Sequence, residues 1–274
     1  MRSFKPPILL ALSLLLSACG ASSGNLANDL KLNEDPDSIF LSVTSAGGFV
    51  PVEFMANQGP YLVLTRGGEL IHQGPQIEIY PGPLLANWQV SQLDEESMLF
   101  VLEELDALNF DEIGHVENND ASGVVADAPF TTVRFYNQDG EHSFTVYALG
   151  ISEDSSDSRV PILANLVDRL GNITGTSSTS YVPEAIQVVA GIRAGEVDDA
   201  VANAREWPLP DPYEAMTEIG FEWRCATFEG DQADQLLDVF AEANQATGWT
   251  LGQAEYQILV RPLFPNEEPC EPLN

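Results

Sequence analysis

Two β-hairpin signals in the first half of the chain place the strongest constraint on its fold. The segment PYLVLTRGGELIHQG has two strand-like arms around Gly67 and Gly68, and glycine tolerates the positive φ angles of a tight hairpin turn. The segment TTVRFYNQDGEHSFTVYALG has the same form around Asp139 and Gly140. The two signals predict an antiparallel sheet. Across the second turn, the apolar side chains expected to face one another are Val133 and Phe135 with Phe144 and Val146.

Two segments with helical spacing and a first strand complete this pattern. SQLDEESMLFVLEELDALNF predicts a helix that Ser91 or Asp94 can cap, and a later helix can open at Pro161 and close at Gly171. With a strand in SIFLSVTSAGG, the order predicts an α+β fold, in which two helices cover one face of an N-terminal antiparallel sheet. The buried helical side chains are predicted to be Met98, Val101, Leu102, Leu105 and Leu108, then Ile162, Leu166, Val167 and Leu170.

The second half predicts a smaller α+β domain that contains a β-α-β unit. YVPEAIQVVAGIRAG has the pattern of a helix that begins at Pro183. FEWRCATF alternates as a strand, DQADQLLDVFAEANQATG is typical of a helix, and EYQILVRPLF predicts a further strand. The polar stretch GNITGTSSTS is typical of a linker between the two halves, and a surface loop of a single domain is the alternative. The predicted domains are 38–173 and 181–274, joined by the linker 174–180.

The N-terminal sequence MRSFKPPILLALSLLLSACG has the order of an export signal, with basic residues before a short apolar run. The run is far shorter than the roughly 20 residues of a membrane-spanning helix, although an uncleaved anchor or a buried helix is the alternative.

Residues 16–19, LSAC, resemble the lipobox of bacterial lipoproteins. In that family the cysteine thiol receives a diacylglyceryl group, and cleavage on the N-terminal side of the cysteine makes it the new N-terminus. The resemblance implies a signal peptide at 1–18, a lipidated Cys19 and attachment to the extracytoplasmic face of the cell membrane. Residues 19–37 are predicted to be a flexible tether.

The acidic composition excludes one class of partner. The chain has 11 basic and 42 acidic residues and a net charge of −31, and the loss of Arg2 and Lys5 with residues 1–18 makes it −33. Nucleic-acid binding needs clustered lysine and arginine, so no nucleic acid is expected. Anionic headgroups repel such a chain, and membrane attachment would therefore depend on the acyl chains of Cys19. The expected partners are the lipid bilayer and an envelope or secreted protein.

The remaining two cysteines, Cys225 and Cys270, are predicted to form a disulfide. Outside the cytoplasmic membrane an even pair of cysteines is normally oxidised, and this bridge would close a loop of about 45 residues. Two free thiols are the alternative if the two strand ends point apart. With Cys19 lipidated, no cysteine is left for catalysis or metal binding.

Two further segments carry candidate binding residues. The proline-rich segment GPQIEIYPGPLLANWQV, residues 74–90, is either a rigid recognition loop or a connection that folds back and buries its aliphatic side chains. In the first interpretation Tyr80 and Trp88 contact a partner; the second is preferred. A carboxylate–histidine cluster that can bind a divalent cation, or is simply a solvated loop, comprises His115 with Asp111, Glu112, Glu117 and Asp120. His72 and His142 have no metal-site spacing, and no catalytic residue, metal ligand or cofactor is assigned.

Two resemblances bear on the folded part. GPQIEIYPGPLLANWQV and NQATGWTLGQAEYQILVRPLFPNEEPC are similar to signature stretches of secreted actinobacterial proteins of unknown function, over most of residues 40–270. That family has no known activity, so it supports export and the cysteine pair and supplies no catalytic residues; Ala86 and Gln253 depart from its pattern. The C-terminal positions that match this actinobacterial family are Trp249, Tyr256, Arg261, Pro262, Leu263, Pro265, Glu267 and Cys270.

A second resemblance covers only residues 40–170. The order of SVTSAGGF, a helix that ends in LNF, APFTTVRFYNQDGEHSFTV and LANLVDRL is similar to emfourin-type inhibitors of thermolysin-like metalloproteases. The C-terminal domain departs from that pattern, and no inhibitory residue is assigned.

The function expected from these features is that of an exported, lipid-anchored envelope protein with a non-catalytic binding or interaction role. A protease-inhibitor-like protein is one alternative. An extracytoplasmic hydrolase with a metal or carboxylate site is the other.

Overall fold

The computed structural model describes residues 23–76, 79–110, 115–151, 155–172, 178–193 and 204–273. They form two β-sheets and six helices, which confirms the predicted α+β class. No helix in these ranges is long and apolar enough to cross a membrane. The helices are α1 (Ser23–Asp29), α2 (Val52–Ala56), α3 (Glu95–Leu108), α4 (Val160–Asn172), α5 (Pro212–Ala215) and α6 (Asp231–Ala241). The strands are β1 (Ile39–Ala46), β2 (Pro60–Thr65), β3 (Glu69–Gln73), β4 (Trp88–Gln92), β5 (His115–Asn118), β6 (Phe130–Asn137), β7 (Gly140–Tyr147), β8 (Ser178–Ser180), β9 (Ala185–Ile192), β10 (Arg205–Glu206), β11 (Thr217–Gly220), β12 (Trp223–Glu229), β13 (Trp249–Leu251) and β14 (Ala254–Pro262).

The first sheet has eight strands in the order β5-β7-β6-β1-β2-β3-β4-β8. Its neighbouring strands are antiparallel, except that β5 runs parallel to β7. Both predicted hairpins are confirmed: β2 pairs with β3 through a turn in which Gly68 has a φ of 88°, and β6 pairs with β7. In the second hairpin Val133 lies opposite Phe144 and Phe135 lies opposite His142.

One face of this sheet is covered by α1, α3 and α4, so three helices form the layer for which two were predicted. The side chain of Asp94 caps α3 by accepting a hydrogen bond from the Ser97 N–H at 2.8 Å. Ser91, the other candidate cap, lies in β4 and is buried. Burial of the predicted apolar face of α3 is confirmed for Met98, Val101, Leu102, Leu105 and Leu108.

The predicted tether over residues 19–37 is wrong for its described part. Residues 23–29 form α1, and Ala27, Leu30 and Leu32 belong to the core of the first sheet. The chain is held there by the Asn137 Nδ2–H group, which donates to the Leu30 carbonyl at 3.3 Å. The apolar residues of this short segment have helical spacing, and their burial outweighs its polar composition. Cys19 and residues 20–22 lie outside the described residues.

The predicted linker is also partly wrong, because residues 178–180 form strand β8 at the edge of the first sheet. β8 pairs with β4, and the Ser178 hydroxyl donates to Gln89 Oε1 at 2.7 Å. Residues 173–177 lie outside the described residues. All three β8 side chains are exposed, so this edge strand has no apolar alternation to distinguish it from a loop.

The second sheet has the order β10-β13-β14-β9-β12-β11, and its central strand was predicted incorrectly. The segment expected to be a helix from Pro183 is strand β9, which lies between β12 and β14 and is antiparallel to both. Ile186, Val188 and Val189 are fully buried, and these β-branched residues favour a strand. The predicted β-α-β unit is confirmed as β12-α6-β14, with β9 between its two strands.

The two sheets share side chains, and neither is packed by its own half of the chain alone. Phe264, which follows β14, packs beside Ile39, Val63 and Ile71 on the face of the first sheet opposite the helices. Leu84 from the first half packs in the core between α6 and the second sheet, and α2 packs against the second sheet's other face. The prediction that the first sheet is covered on one face only is therefore wrong.

Candidate functional site

A cleft of about 540 Å³ is lined by residues of both sheets, and we name it the inter-sheet cleft. Its size is typical of pockets that bind small ligands. One wall is the polar face of β1, β6 and β7; the opposite wall is the C-terminal segment, residues 266–273, and residues 55–60 form the rim. The polar side chains of the walls include Thr44, Thr132, Arg134, Tyr136, Glu141, Gln187, Arg261, Glu267, Glu268 and Glu271.

Arg261, near the end of β14, fixes the base of the C-terminal wall. Its side chain is buried, and Nη1 donates to both carboxylate oxygens of Glu267, at 2.8 and 3.1 Å. Nη2 donates to Gln187 Oε1 on β9 at 3.2 Å, whereas Nε is buried without an acceptor. Nη1 also donates to the Pro262 carbonyl at 3.0 Å. A charge-assisted pair that is largely removed from solvent fixes orientation more strictly than an exposed one. Arg261 therefore positions the wall of the cleft.

Gly59 on the rim lies directly against this guanidinium group. A β-carbon at residue 59 would collide with Nη1 of Arg261 and would lie 2.7 Å from its Cζ. A side chain at residue 59 therefore fits only if the Arg261 guanidinium moves away from its hydrogen-bond partners.

The C-terminal wall is attached at three further points. The predicted disulfide is confirmed: Cys225 on β12 is bonded to Cys270, with their Cα atoms 5.3 Å apart. The Cys270 N–H donates to Gln187 Oε1 at 3.1 Å, and the Leu273 N–H donates to the Ile219 carbonyl on β11 at 2.6 Å. These bonds hold the wall in place without a ligand.

Arg134 on β6 presents an accessible positive charge on the cleft wall that is formed by the sheet strands β1, β6 and β7. Its Nε lies 3.2 Å from Glu141 Oε1, and Nη1 donates to the Thr44 hydroxyl at 3.4 Å. Both charged side chains are more than a third exposed, so solvent and ligands can reach them. Tyr136 beside them has a raised pKa, caused mainly by its burial. A guanidinium group is a hydrogen-bond donor without acceptor capacity, so Arg134 offers this wall donors and a positive charge beside the Glu141 carboxylate.

The proline-rich segment forms a clasped loop beside the second sheet. Gln76 Nε2 donates to the carbonyls of Gly74 and Asn87, at 2.7 and 3.2 Å, which closes the base of the loop. The returning arm is bound to the second half, because the Gly82 N–H donates to Gln245 Oε1 at 3.2 Å and the Gln245 N–H donates to the Gly82 carbonyl at 3.0 Å. Residues 77–78 lie outside the described residues.

The two aromatic residues that were proposed to contact a partner differ in their exposure to solvent. Tyr80 is 75% exposed, beside the exposed Ile79. Trp88 is only 5% exposed, and its ring packs edge-on against Phe264 at 5.5 Å. The assignment of Trp88 to a contact surface is therefore wrong, because Phe264 covers it. The loop is buried at its returning end, as the structural interpretation predicts, and exposed near its tip.

The described residues do not assemble the acidic cluster around His115. His115 Nδ1 lies 2.8 Å from the Ser143 hydroxyl, and Asp120 instead accepts hydrogen bonds from the N–H and hydroxyl of Ser156, at 2.7 and 2.9 Å. These bonds lower the pKa of Asp120. Asp111 and Glu112 lie outside the described ranges, within which no group of three potential metal-ligating side chains is found.

Sequence reasoning did not identify Gly59, Gln187 or Arg134 as residues of one site. They come from three distant segments, and Gln187 lies in a strand that was predicted to be a helix. The resemblance to the secreted actinobacterial proteins did single out Arg261, Glu267 and Cys270, which the structure brings together in one wall. No protein-family model, curated protein or solved structure matches this chain. Both family resemblances stay predictions.

Proposed function

We propose that the chain is an exported, lipid-anchored protein of the bacterial cell envelope that binds a small polar ligand in the inter-sheet cleft without converting it. Acylated Cys19 would hold it at the extracytoplasmic face of the membrane. The observation that carries the binding role is the preformed cleft, whose wall is fixed by Arg261, Glu267 and the Cys225–Cys270 disulfide.

Two features support export and anchoring. A structural disulfide that closes 45 residues of chain is typical of an oxidising compartment. The N-terminal basic residues, apolar run and lipobox-like LSAC occur in the order of a lipoprotein signal. Residues 20–22 separate Cys19 from α1, so the anchor and the folded body would be at most about 14 Å apart.

The charged groups of the cleft support a binding role. Arg134 is paired with Glu141, and Arg261 with Glu267, so each pair places opposite charges side by side. The carboxylates of Glu268 and Glu271 also line the cleft. A zwitterionic ligand has both kinds of group: its acceptors can bind the donors of Arg134, and its donors can bind the carboxylates of the C-terminal wall.

Replacement of Cys19 with serine should abolish lipidation and signal-peptide cleavage, because the thiol is the acceptor of the diacylglyceryl group in the lipoprotein pathway. Cells fed an alkyne-bearing fatty acid would be lysed, and the protein isolated and analysed for label and size. The wild type should carry label and the Cys19→Ser protein should be an unlabelled, larger precursor. The Cys225→Ser, Cys270→Ser double variant is the matched control and should retain the label. A labelled, processed Cys19→Ser protein would contradict the anchor.

Ligand binding in the cleft is tested on the Nε–H resonance of Arg134 by ¹H–¹⁵N NMR. The probes are acetate, glycine, glycylglycine and N-acetylglucosamine, each titrated into residues 20–274. We expect glycine or glycylglycine to shift this resonance saturably, while the Nε–H of Arg159, which is bound to Asp157 outside the cleft, does not move. The Arg134→Gln variant lacks this resonance, so its affinity would be measured by isothermal titration calorimetry alongside the wild type, and it should bind at least fivefold more weakly. The ligand class is wrong if neither zwitterion gives a saturable shift.

A protease-inhibitor role is the second candidate, and the clasped proline-rich loop is the observation that favours it. Its base and returning arm are hydrogen-bonded, and Ile79 and Tyr80 are exposed, so little entropy would be lost when a partner binds there. Inhibition of a thermolysin-like protease by the wild type, weakened at least tenfold by Tyr80→Ala, would support this role. Absence of inhibition would exclude it for that protease class.

A further inference from the structure

A second, apolar hollow of about 290 Å³ lies beside α6, and we name it the α6 groove. Its walls come from three separate segments: the returning arm of the loop, the connection from β8 to β9, and one side of α6. The lining residues include Leu85, Tyr181, Val182, Leu237 and Phe240. It shares no lining residue with the inter-sheet cleft.

The groove is open, and one of its lining side chains, Val182, is 67% exposed. The loop that contributes Leu85 also carries the exposed Ile79 and Tyr80. Burial raises the pKa of the Tyr181 hydroxyl to about 12, with the charges of Glu184 and Glu69 adding to the shift. Exposed apolar residues around a hollow are typical of surfaces that another molecule covers. The hollow thus locates an interaction surface.

Acidic side chains near the groove indicate the charge of the partner it would bind. The exposed acids of α6 follow one another at intervals of three or four residues, so they lie along one side of the helix, and Glu184 is exposed on the β8–β9 side. Within α6 there is no basic residue. Acidic residues occur over the whole chain, so they do not locate the site; beside an apolar hollow they favour a positively charged occupant. The acids of α6 that can face a basic partner are Asp231, Asp234 and Asp238; Glu242, which follows the helix, is already paired with Arg205 at 3.3 Å.

We propose that the α6 groove binds a basic protein segment in which one bulky apolar side chain fills the hollow and neighbouring lysine or arginine residues face the acids. A bilayer is disfavoured as the occupant, since anionic headgroups would meet the same acids. A second copy is disfavoured because a symmetric contact would bring two acidic α6 surfaces together. The proposal concerns a different surface from the proposed ligand cleft and does not depend on it.

The test uses three synthetic peptides with the full mature chain: GKKFKKG, GKKSKKG and GEEFEEG, each blocked at both ends. Isothermal titration calorimetry at about 50 and 300 mM salt would give their affinities. We expect the basic phenylalanine peptide to bind at least tenfold more tightly than the serine peptide, and the acidic peptide not to bind. Binding should weaken at the higher salt concentration, because the lysine contacts are screened.

Matched variants assign the binding to the groove. Val182→Asn should weaken binding of the phenylalanine peptide at least fivefold, whereas Val124→Asn, at a similarly exposed valine (69%) outside the groove, should not change it. Asp238→Asn should weaken binding two- to fivefold and reduce its salt dependence. Both substituted valines are exposed, so folding should be preserved. Arg134→Gln should leave peptide binding unchanged, which separates this result from a failure of the cleft.

Four results would overturn the proposal. Equal affinity for the phenylalanine and serine peptides would show attraction by charge alone. No effect of Val182→Asn would place the binding outside the groove. Binding of phosphatidylglycerol vesicles by a non-acylated chain, lost in Val182→Asn, would assign the groove to a membrane. A dimer in sedimentation velocity that Val182→Asn dissociates would assign it to a second copy.

Discussion

Replacing Arg261 with methionine should lower the free energy of unfolding by about 3 kcal/mol, at the lower end of the range for breaking a buried ion pair. Methionine fills much of the space of the arginine stem but leaves Glu267 buried without its cation and Gln187 without one of its donors. The lower end of that energy range applies because the Arg261 Nε–H is buried without an acceptor, so the substitution breaks no hydrogen bond at this atom. Urea denaturation followed by tryptophan fluorescence would measure the change.

Arg134→Met is the matched control, because it breaks the other arginine–glutamate pair of the cleft. Arg134 and Glu141 are partly exposed, so this variant should lose less than about 1 kcal/mol. Gly59→Ala should change stability in the same direction as Arg261→Met, since its methyl group displaces the Arg261 guanidinium. Equal losses in the two arginine variants would contradict the assignment of Arg261 as the residue that fixes the wall.

Removal of the disulfide should cost about 4 kcal/mol on the chain-entropy model, because Cys225 and Cys270 close a loop of 45 residues. The Cys225→Ala, Cys270→Ala double variant would be compared with the wild type by urea denaturation. Hydrogen exchange adds a local measure: the Leu273 N–H, bonded to Ile219 across the edge of the second sheet, should lose protection first. The C-terminal wall of the cleft should loosen before the sheet beneath it.

Reductant provides the control for this second prediction. Dithiothreitol should destabilise the wild type to the level of the double variant and should leave the double variant itself unchanged. If the reduced wild type unfolds at the same urea concentration as the oxidised protein, the bridge contributes no stability and the expected order of opening is wrong.

The elements that the sequence predicts well are those with one buried and one exposed face. α3 and the β6–β7 hairpin have such patterns, because their apolar side chains recur at intervals that point to the core. β9 is buried on both faces and flanked by strands on both sides, so its apolar residues form a continuous run. A run of that kind does not distinguish a central strand from a buried helix, and Pro183 added a misleading helix-start signal.

The parts of the site that could not be predicted depend on contacts between distant segments. Nothing near Gly59 in the sequence indicates that a guanidinium group from residue 261 lies against it. Trp88 follows a polar residue in a proline-rich stretch, so its sequence neighbours do not indicate burial. It is buried because Phe264, from the other end of the sequence, packs against its ring. The cysteine pair was predictable because its evidence is chemical: an even pair of thiols in a chain that is predicted to be exported, whatever the intervening fold.

The position of Phe264 has a consequence for the order in which the chain can acquire its structure. Phe264 covers apolar residues on strands β1, β2 and β3 of the first sheet, although about 190 residues separate it from β3 in the sequence. While the chain emerges from a ribosome, this patch has no cover until residue 264 has been synthesised. The patch would be a natural binding surface for a chaperone during that interval. The first sheet therefore completes its folding only when a much later segment of the chain is present.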